Sequence, residues 1–386
     1  MVELSSAASI TARVIASLDE VAADQWNALD ATDNPFLSHQ FLSALENTGC
    51  VGGPSGWHPE HITLWQNNQL VAAAPAYRKD HSFGEYVFDF AWADAYRRAG
   101  LRYYPKLLVA VPFSPVTGPR LLVHPHHAAE PLKAKLIDAL IAHCHARGYS
   151  TAHILFPDGR DRQHLAASGM IERSGFQFHW RNEGYAAFDD YLSALSARKR
   201  KNIQRERRQV HEAGIHLRVI TGAQVQEVDW NRFYQLYRFS AEIKGGSAYL
   251  TRAFFEELAR RMPQRIVLVE AARGAELIAY ALCLRSGDTL YGRNWGTSGF
   301  YPGLHFDACY YTPLEYCIEQ GIQHFDAGAQ GEHKLARGFL PMPTYSFHWV
   351  AHSEFRDILR RYLKEETRHV EHYVDELEAA GPYKKQ

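Results

Sequence analysis

The chain lacks long hydrophobic runs, paired cysteines and net charge, and each absence argues against a class of protein. No stretch approaches the roughly 18 apolar residues that a membrane-spanning helix needs. The five cysteines form no Cys-x-x-Cys pair and are odd in number, which disfavours a disulfide framework or zinc site and indicates a reducing compartment. The formal charge of −1 gives no global preference for nucleic acid or an anionic membrane. Because the first residues lack a basic segment followed by an apolar core, we expect no secretory signal and a cytoplasmic location.

The residues that are abundant indicate well-packed domains. The 386 residues are 46% hydrophobic and 13% aromatic, and a chain of this length favours two domains. One stretch, residues 321–350, places polar groups between two apolar strands and beside glycines that let a ligand approach the backbone. Its charged cluster contains Glu332, His333, Lys334 and Arg337. This arrangement is typical of a functional site, and a solvent-facing turn between a strand and a helix is the alternative interpretation.

The two halves of the sequence share an order of elements. Each reads as a hairpin, an irregular loop, a helix ended by glycine, a short strand, a second helix and an aromatic strand. The tripeptide Phe-His-Trp recurs at 178–180 and 347–349. We therefore predict duplicated α/β units with mixed sheets, as domains 1–185 and 186–386. The first half carries an extra aromatic insertion, residues 81–119.

Several helices are predicted in the second half. Residues 189–212 predict one helix with a basic middle, and residues 224–244 predict another. A third, from about 304 to 320, is apolar nearly all round, which predicts burial, and Pro313 is expected to kink it. A charged C-terminal helix is expected at 355–379.

This order of elements resembles the GNAT acyltransferase fold, and two such units in one chain resemble the Fem-type aminoacyltransferases. Three motifs narrow the resemblance: Leu-His-Phe-Asp-Ala-Cys-Tyr-Tyr at 304–311, Gly-Ala-Gln-Gly-Glu-His-Lys at 328–334 and Phe-Ser-Pro-Val-Thr-Gly-Pro-Arg at 113–120. They look like the FemAB-like family, which is linked to peptidoglycan biosynthesis or recognition. The resemblance covers roughly residues 30–375. It implies tandem GNAT-like (acyl-CoA N-acyltransferase-like) domains and acyl transfer.

Acyl transfer to an amine needs a base for the ammonium group and donors for the oxyanion that forms. We assign the chemistry to Glu332, His333 and Lys334, with Glu332 or His333 as the base. Lys334, Arg337 and Arg293 are expected to stabilise the oxyanion or anionic groups of the substrate. An ordinary surface helix start is the alternative interpretation of Glu332 and His333.

Further residues are candidates for substrate binding, most of them in the second half. His305 and Asp307 lie on a largely apolar helix, where a satisfied buried pair is the alternative interpretation. The full set of additional candidates is Trp295, His305, Asp307, Tyr311, Gln330 and Arg120.

The sequence leaves the acyl donor open between acyl-CoA and aminoacyl-tRNA. In GNAT enzymes, N–H groups of a glycine-containing loop before the central helix hold the pyrophosphate of coenzyme A. The matching loop, residues 297–304, offers Ser298, Gly299 and Gly303 but lacks the GNAT loop pattern. Fem-type enzymes share this departure and use aminoacyl-tRNA. A candidate tRNA contact, which is otherwise a solvated linker helix, consists of Arg198, Lys199, Arg200, Lys201 and Arg205.

The leading interpretation is a cytoplasmic N-acyltransferase that binds donor and acceptor between its two halves. The acceptor would be the amine of a small molecule or peptide, such as a peptidoglycan precursor. The alternatives are a non-catalytic peptidoglycan or peptide recognition module and a tRNA-binding protein. No metal is expected, because His124, His126 and His127 have no second cluster to complete a site.

Overall fold

The computed structural model of the protein describes residues 9–243, 245–329 and 331–384. The chain forms two compact units, and each combines two separate segments. Unit 1 is Met1–Ser174 with Thr344–Thr367, and unit 2 is Gly175–Pro343 with Arg368–Gln386. The predicted division into duplicate domains remains a prediction, because compactness and duplication are different criteria.

Both units contain strands and helices. The strands are β1 Thr11–Ile15, β2 Trp57–Pro59, β3 His61–Gln66, β4 Gln69–Ala74, β5 Ala76–Lys79, β6 Lys106–Val109, β7 Leu122–Val123, β8 Thr151–Leu155, β9 Ile171–Arg181, β10 Ile215–Thr221, β11 Ile266–Arg273, β12 Glu276–Arg285, β13 Thr289–Thr297, β14 His324–Asp326 and β15 Leu340–Val350. The helices are α1 Ala23–Asn27, α2 His39–Asn47, α3 Phe90–Arg98, α4 Ala129–Arg147, α5 Gly159–Ala167, α6 Phe188–Ala194, α7 Ala197–Glu212, α8 Trp230–Ile243, α9 Arg252–Arg261, α10 Leu304–Phe306, α11 Thr312–Glu319 and α12 Ser353–Ala379. None of the helices in the described residues is long and apolar enough to cross a bilayer.

Unit 1 contains two sheets. Strands β1, β3, β4 and β7 pair in that order, all antiparallel. The other sheet runs β2, β5, β6 and β8, followed by residues 344–350 of β15, and only β6 and β8 are parallel. Helix α4 buries Leu132, Leu136 and Leu140 against these strands and ends at Gly148, whose positive φ of 65° suits glycine. The segment predicted as an aromatic insertion, residues 81–119, contributes α3 and β6.

Unit 2 contains one mixed sheet with the order β10, β11, β12, β13, β14 and then residues 175–181 of β9. Strands β13 and β14 are parallel, and the other pairs are antiparallel. The pairing of β12 with β13 shifts between Leu282, opposite Asn294, and Cys283, opposite Gly292. Arg293 is consequently the extra residue of a β-bulge, a feature that redirects a side chain.

Two predicted helices were wrong in their extent. Residues 189–212 form α6 and α7 instead of one helix, because Leu195 is extended (ψ 153°) and ends α6. Residues 222–227 form a 3₁₀ helix, and an α-helix begins only at Trp230, so the predicted helix at 224–244 starts too early.

The central helix departs from α geometry just before its proline. Residues Asp307–Tyr311 form a π-helical turn in which the Thr312 N–H donates to the Asp307 carbonyl. Pro313 follows in the first turn of α11, where its missing N–H is tolerated. The irregularity that was predicted at Pro313 is thus a single π turn before it.

Candidate functional site

Arg293 and Asp326 form a buried ion pair in unit 2, across the parallel strands β13 and β14. The bulge places the Arg293 guanidinium so that Nη2 lies 2.6 Å from Asp326 Oδ2. Arg293 Nη1 also donates to the Gly292 carbonyl at 2.7 Å. Burial disfavours the charged carboxylate of Asp326, but Arg293 and His179 outweigh it and lower its pKa to about 2. Asp326 is therefore an anion at any physiological pH.

Two further contacts fix Asp326 at the end of β14. Its Oδ1 accepts a hydrogen bond from the Gly328 N–H at 2.8 Å. The same oxygen lies 3.8 Å from Nε2 of His179, the residue opposite Asp326 in the β14–β9 register. Burial lowers the pKa of His179, and Arg293 acts in the same direction although Asp326 opposes it. His179 is therefore a neutral imidazole beside a fixed carboxylate.

Lys334 brings a second cation to this carboxylate from the short helix Glu332–Arg337. Its side chain is buried, and its Nζ donates to the Gly328 carbonyl at 2.6 Å. Burial lowers the pKa of Lys334 to about 8, even though the nearby Asp326 favours the charged form. We call Arg293, Asp326, Lys334 and His179 the ionic cluster. It contains an amine that can lose a proton near neutral pH.

His333 belongs to a group of aromatic rings next along the same short helix. Its Nε2 lies 3.0 Å from the Tyr310 hydroxyl, and its ring centroid is 6.2 Å from that of His305. His305 in turn packs edge-on against Trp295 at 5.4 Å. Burial, Arg337 and Lys334 all lower the pKa of His333, so the imidazole is neutral at pH 7 and can accept a proton.

Arg337 and Tyr311 are committed to a contact with Glu206 of α7. Arg337 Nη2 lies 2.9 Å from both carboxylate oxygens, and the Tyr311 hydroxyl donates to the same group. The Arg337 guanidinium also stacks 3.4 Å from the centroid of the Phe306 ring. Both predicted substrate-binding side chains are buried in this contact, which favours a positioning role. Glu332 is exposed and accepts a hydrogen bond from the Tyr373 hydroxyl at 2.6 Å.

Asp307 does not belong to the ionic cluster and has its own set of partners. Its Oδ1 is 3.4 Å from Arg207 Nε and accepts a hydrogen bond from Thr312 at 3.1 Å. Burial raises the pKa of Asp307, although Arg207 opposes that rise. A cavity of about 550 Å³, with Arg207, Glu315 and His211 in its lining, adjoins this carboxylate. Asp307 contacts Arg207 and Thr312, whereas the His305 ring packs against Trp295, and a pairing of His305 with Asp307 stays a prediction.

The loop predicted to hold coenzyme A already uses several of its amides. The Ser298 N–H donates to the Ile278 carbonyl at 2.8 Å, and the Gly299 N–H points to Thr297 Oγ1 at 3.4 Å. At the start of α10, the Leu304 N–H donates to the Tyr301 carbonyl at 3.2 Å. The binding of coenzyme A at Ser298, Gly299 and Gly303 stays a prediction, and these bonds do not favour it.

Two other predicted site residues remain, one in unit 1 and one outside the described residues. Arg120 belongs to unit 1, is buried, and donates from Nε to the Leu155 carbonyl at 2.8 Å and from Nη1 to the Gly118 carbonyl at 3.1 Å. These bonds hold its own loop together. Gln330 lies outside the described residues.

The basic helix α7 displays one cationic face. Arg198, Lys201 and Arg205 are exposed at a spacing of three and four residues, whereas Ile203 and Val210 are buried on the other side. In the described part of the chain, no carboxylate forms an ion pair with these three cations. Lys199 and Arg200 are half-buried. The three exposed cations therefore share one face of the helix.

Three residues of the site were missed from the sequence: Asp326, His179 and Tyr310. Asp326 ends an apolar strand immediately before the small-residue run, and a charge at a strand end was a usable signal. His179 is part of the repeated Phe-His-Trp, which indicated duplication but not a site. Among the described residues, no group of three His, Cys, Asp or Glu side chains is arranged to hold a metal ion.

Comparisons with known proteins agree on the fold. The sequence profile of the FemAB-like family, described as peptidoglycan biosynthesis/recognition, matches residues 17–385. The crystal structure of FemX is similar over 91% of this chain and 100% of its own, at 12% identity and a TM-score of 0.54. This likeness confirms the predicted fold class, a mixed α/β architecture.

Two further structures are similar at lower scores. L-PGS from Bacillus licheniformis has 10% identity, covers 86% of this chain and 97% of its own, and has a TM-score of 0.49. A tandem GNAT protein from the clavulanic acid biosynthesis pathway has 12% identity, 89% and 99% coverage, and a TM-score of 0.44. No curated protein matches the sequence.

Proposed function

This chain belongs to the FemAB-like family, as its motifs predicted, and we propose that it is an N-acyltransferase. It would move an acyl or aminoacyl group onto an amine of a small molecule or peptide, with a peptidoglycan precursor as the candidate acceptor. The family description and the acyltransferase fold support this class of reaction. The observation that carries the proposal is Lys334, a buried amine held by one carbonyl beside the Arg293–Asp326 pair.

Lys334 is the proposed donor to the acyl oxygen. A lysine ammonium has three N–H donors, and the Gly328 carbonyl takes one at 2.6 Å, so the amine keeps the capacity to donate to an incoming oxygen. When the acceptor amine attacks, that oxygen becomes an oxyanion. A buried cation stabilises such a charge far more than a solvated one does. Arg293, held in place by Asp326, adds positive potential beside it.

His333 is the proposed base, because its lowered pKa keeps the imidazole neutral at pH 7. The attacking nitrogen forms a bond to the acyl carbon and gives its proton to His333. The ester or thioester bond to the donor then breaks, and the leaving oxygen or sulfur takes up a proton. Glu332 remains the alternative base; it is exposed, as His333 is, and its carboxylate accepts a hydrogen bond from the Tyr373 hydroxyl.

Aminoacyl-tRNA is the donor that we favour over acyl-CoA. The cationic face of Arg198, Lys201 and Arg205 on α7 suits a phosphate backbone. Two of the three amides expected to hold coenzyme A, those of Ser298 and Gly299, already donate to groups within the protein. We place the reaction in the cytoplasm, where both donors are available.

Donor identity is tested by thermal unfolding of the full chain with charged tRNA, uncharged tRNA and acetyl-CoA added separately. A ligand that binds only the folded chain raises Tm. We expect charged tRNA to raise it, and less so as salt increases. Stabilisation by acetyl-CoA alone would contradict the preferred donor.

Catalysis is tested by product formation with a donor that raises Tm and an amine-bearing peptidoglycan precursor. Lys334→Met and His333→Gln should each lower kcat by at least roughly tenfold without loss of donor binding. Lys364→Met, at an exposed position of α12, is the matched control and should keep full activity. If the wild-type chain binds donor and acceptor but forms no product, the recognition module replaces the enzyme as the better hypothesis.

A further inference from the structure

The segment at residues 82–90 of unit 1 reverses the usual distribution of buried and exposed side chains. Its acids Glu85 and Asp89 are buried, whereas Phe83, Phe88 and Phe90 are 56%, 54% and 42% exposed. Charged side chains are rarely fully buried unless they are paired, and large apolar side chains usually lie inside. The exposure of these phenylalanine rings therefore needs an explanation.

A buried lysine holds the segment in this orientation. Lys106 Nζ donates to Ser82 Oγ at 2.9 Å and to Glu85 Oε2 at 2.8 Å, and it also contacts Asp89. The Tyr103 hydroxyl donates to Asp89 at 2.6 Å. The segment is therefore anchored at Ser82, Glu85 and Asp89, so the rings are held outward by a fixed framework.

The three rings form one contiguous surface, which we call the phenylalanine patch. The Phe83 and Phe90 centroids are 5.4 Å apart, and Phe88 stacks on Phe90 at 6.1 Å. Contiguous exposed apolar surface typically marks a contact with a protein or a membrane, whereas single exposed apolar residues do not.

Cations continue the same face of α3. Arg97 and Arg98 follow Phe90 by seven and eight residues, which is two helical turns, and both are exposed. Arg102 is exposed just after the helix. Asp94 forms ion pairs with both helical arginines, so three cations face one carboxylate and the face keeps net positive charge.

We propose that the phenylalanine patch docks onto the surface of a lipid bilayer that contains anionic phospholipid. Aromatic rings are stable at the depth of the lipid headgroups, and neighbouring arginines are attracted to the lipid phosphates. The charge complementarity between Arg97, Arg98 and Arg102 and an anionic surface favours a bilayer over an uncharged partner. This contact is peripheral, and it does not depend on the proposed transferase activity.

The test is co-sedimentation of the full chain with phosphatidylcholine vesicles, with and without phosphatidylserine. We expect binding to the anionic vesicles, weakened by salt. Phe83→Ser with Phe88→Ser should reduce the bound fraction by roughly tenfold or more, because apolar ring surface then leaves the interface. Arg97→Gln with Arg98→Gln should reduce it by roughly fivefold at low salt and only on anionic vesicles.

Phe300→Ser is the matched control, because Phe300 in unit 2 is 90% exposed but lies outside the patch. It should leave vesicle binding unchanged, and an unchanged Tm shows that each variant is folded. Absence of wild-type binding to anionic vesicles, or full binding by the double phenylalanine variant, would overturn the proposal. Self-association of the wild-type chain that is lost in that variant would overturn it too, in favour of a protein contact.

Discussion

Replacing Lys334 by methionine should stabilise the folded chain while it slows the proposed transfer. In the unfolded chain the pKa of the amine is 10.5, and burial lowers it to about 8 in the folded chain. That difference corresponds to about 3 kcal/mol of destabilisation at pH 7, at about 1.4 kcal/mol for each pH unit. Removal of the amine relieves this destabilisation, but loss of the hydrogen bond to the Gly328 carbonyl costs about 1 kcal/mol. We therefore expect the free energy of unfolding of Lys334→Met to be about 2 kcal/mol above that of the wild type.

The pH dependence of the free energy of unfolding provides a second test of the same prediction. Between pH 8 and pH 10.5 the unfolded chain binds more protons at Lys334 than the folded chain does, so wild-type stability should rise with pH across this window. The methionine variant should lack that contribution. Urea unfolding at a series of pH values, followed by tryptophan fluorescence, measures both effects.

A second buried lysine provides the control. Lys133 Nζ lies 2.7 Å from Asp161 Oδ1, and its removal leaves a buried carboxylate without its cation. Lys133→Met should therefore lower the free energy of unfolding by roughly 3 kcal/mol, the opposite sign to Lys334→Met. A methionine variant at Lys334 that is less stable than the wild type at pH 7, or that keeps the alkaline rise, would refute this reasoning.

Three further predictions concern stability. Lys106→Met leaves Glu85 and Asp89 buried without their cation, and urea unfolding should show a loss of roughly 3–5 kcal/mol. Burial raises the pKa of Glu85 to about 7, so its contribution to stability is largest below pH 4.5 and is lost as pH rises through 7; Glu85→Gln should remove that decline. Gly303 has φ +80°, and an added Cβ would lie 2.8 Å from the Glu206 carbonyl oxygen, so Gly303→Ala should lower Tm with a loss of roughly 1–3 kcal/mol. An unchanged Tm would show that the close approach is relieved elsewhere.

Local patterns were enough to predict the architecture and part of the site. Helix-ending glycines, hairpins and the repeated tripeptide depend on short stretches, and they indicated two mixed α/β units before any contact was known. The cluster of charges after β14 likewise indicated that His333 and Lys334 belong to a site. Both side chains lie beside residues of β13 or the central helix in unit 2.

The contacts of the candidate site that the sequence did not predict depend on pairing between residues far apart in the chain. The bulge that aims Arg293 at Asp326 arises from the register of β12 against β13, which no local pattern encodes. The contact of His179 with Asp326 joins residues almost 150 positions apart in sequence, by way of antiparallel pairing. Similarly, the contact of Glu206 with Arg337 joins residues 131 positions apart in sequence.

The register explains what the repeated histidine does in each unit. Five residues after the glycine that ends the helix, unit 1 has His153 and unit 2 has Asp326, and each faces the histidine of a Phe-His-Trp tripeptide. In unit 1 the Nδ1 atoms of His153 and His348 are 2.7 Å apart, and both rings are buried. In unit 2 His179 stands beside Asp326 with 23% of its side chain exposed. The same pair of positions therefore forms a sealed internal contact in one unit, whereas in the other a partly exposed histidine lies beside otherwise buried charges. Because a reacting amine must reach charged groups from solvent, this difference supports placing the proposed chemistry in unit 2.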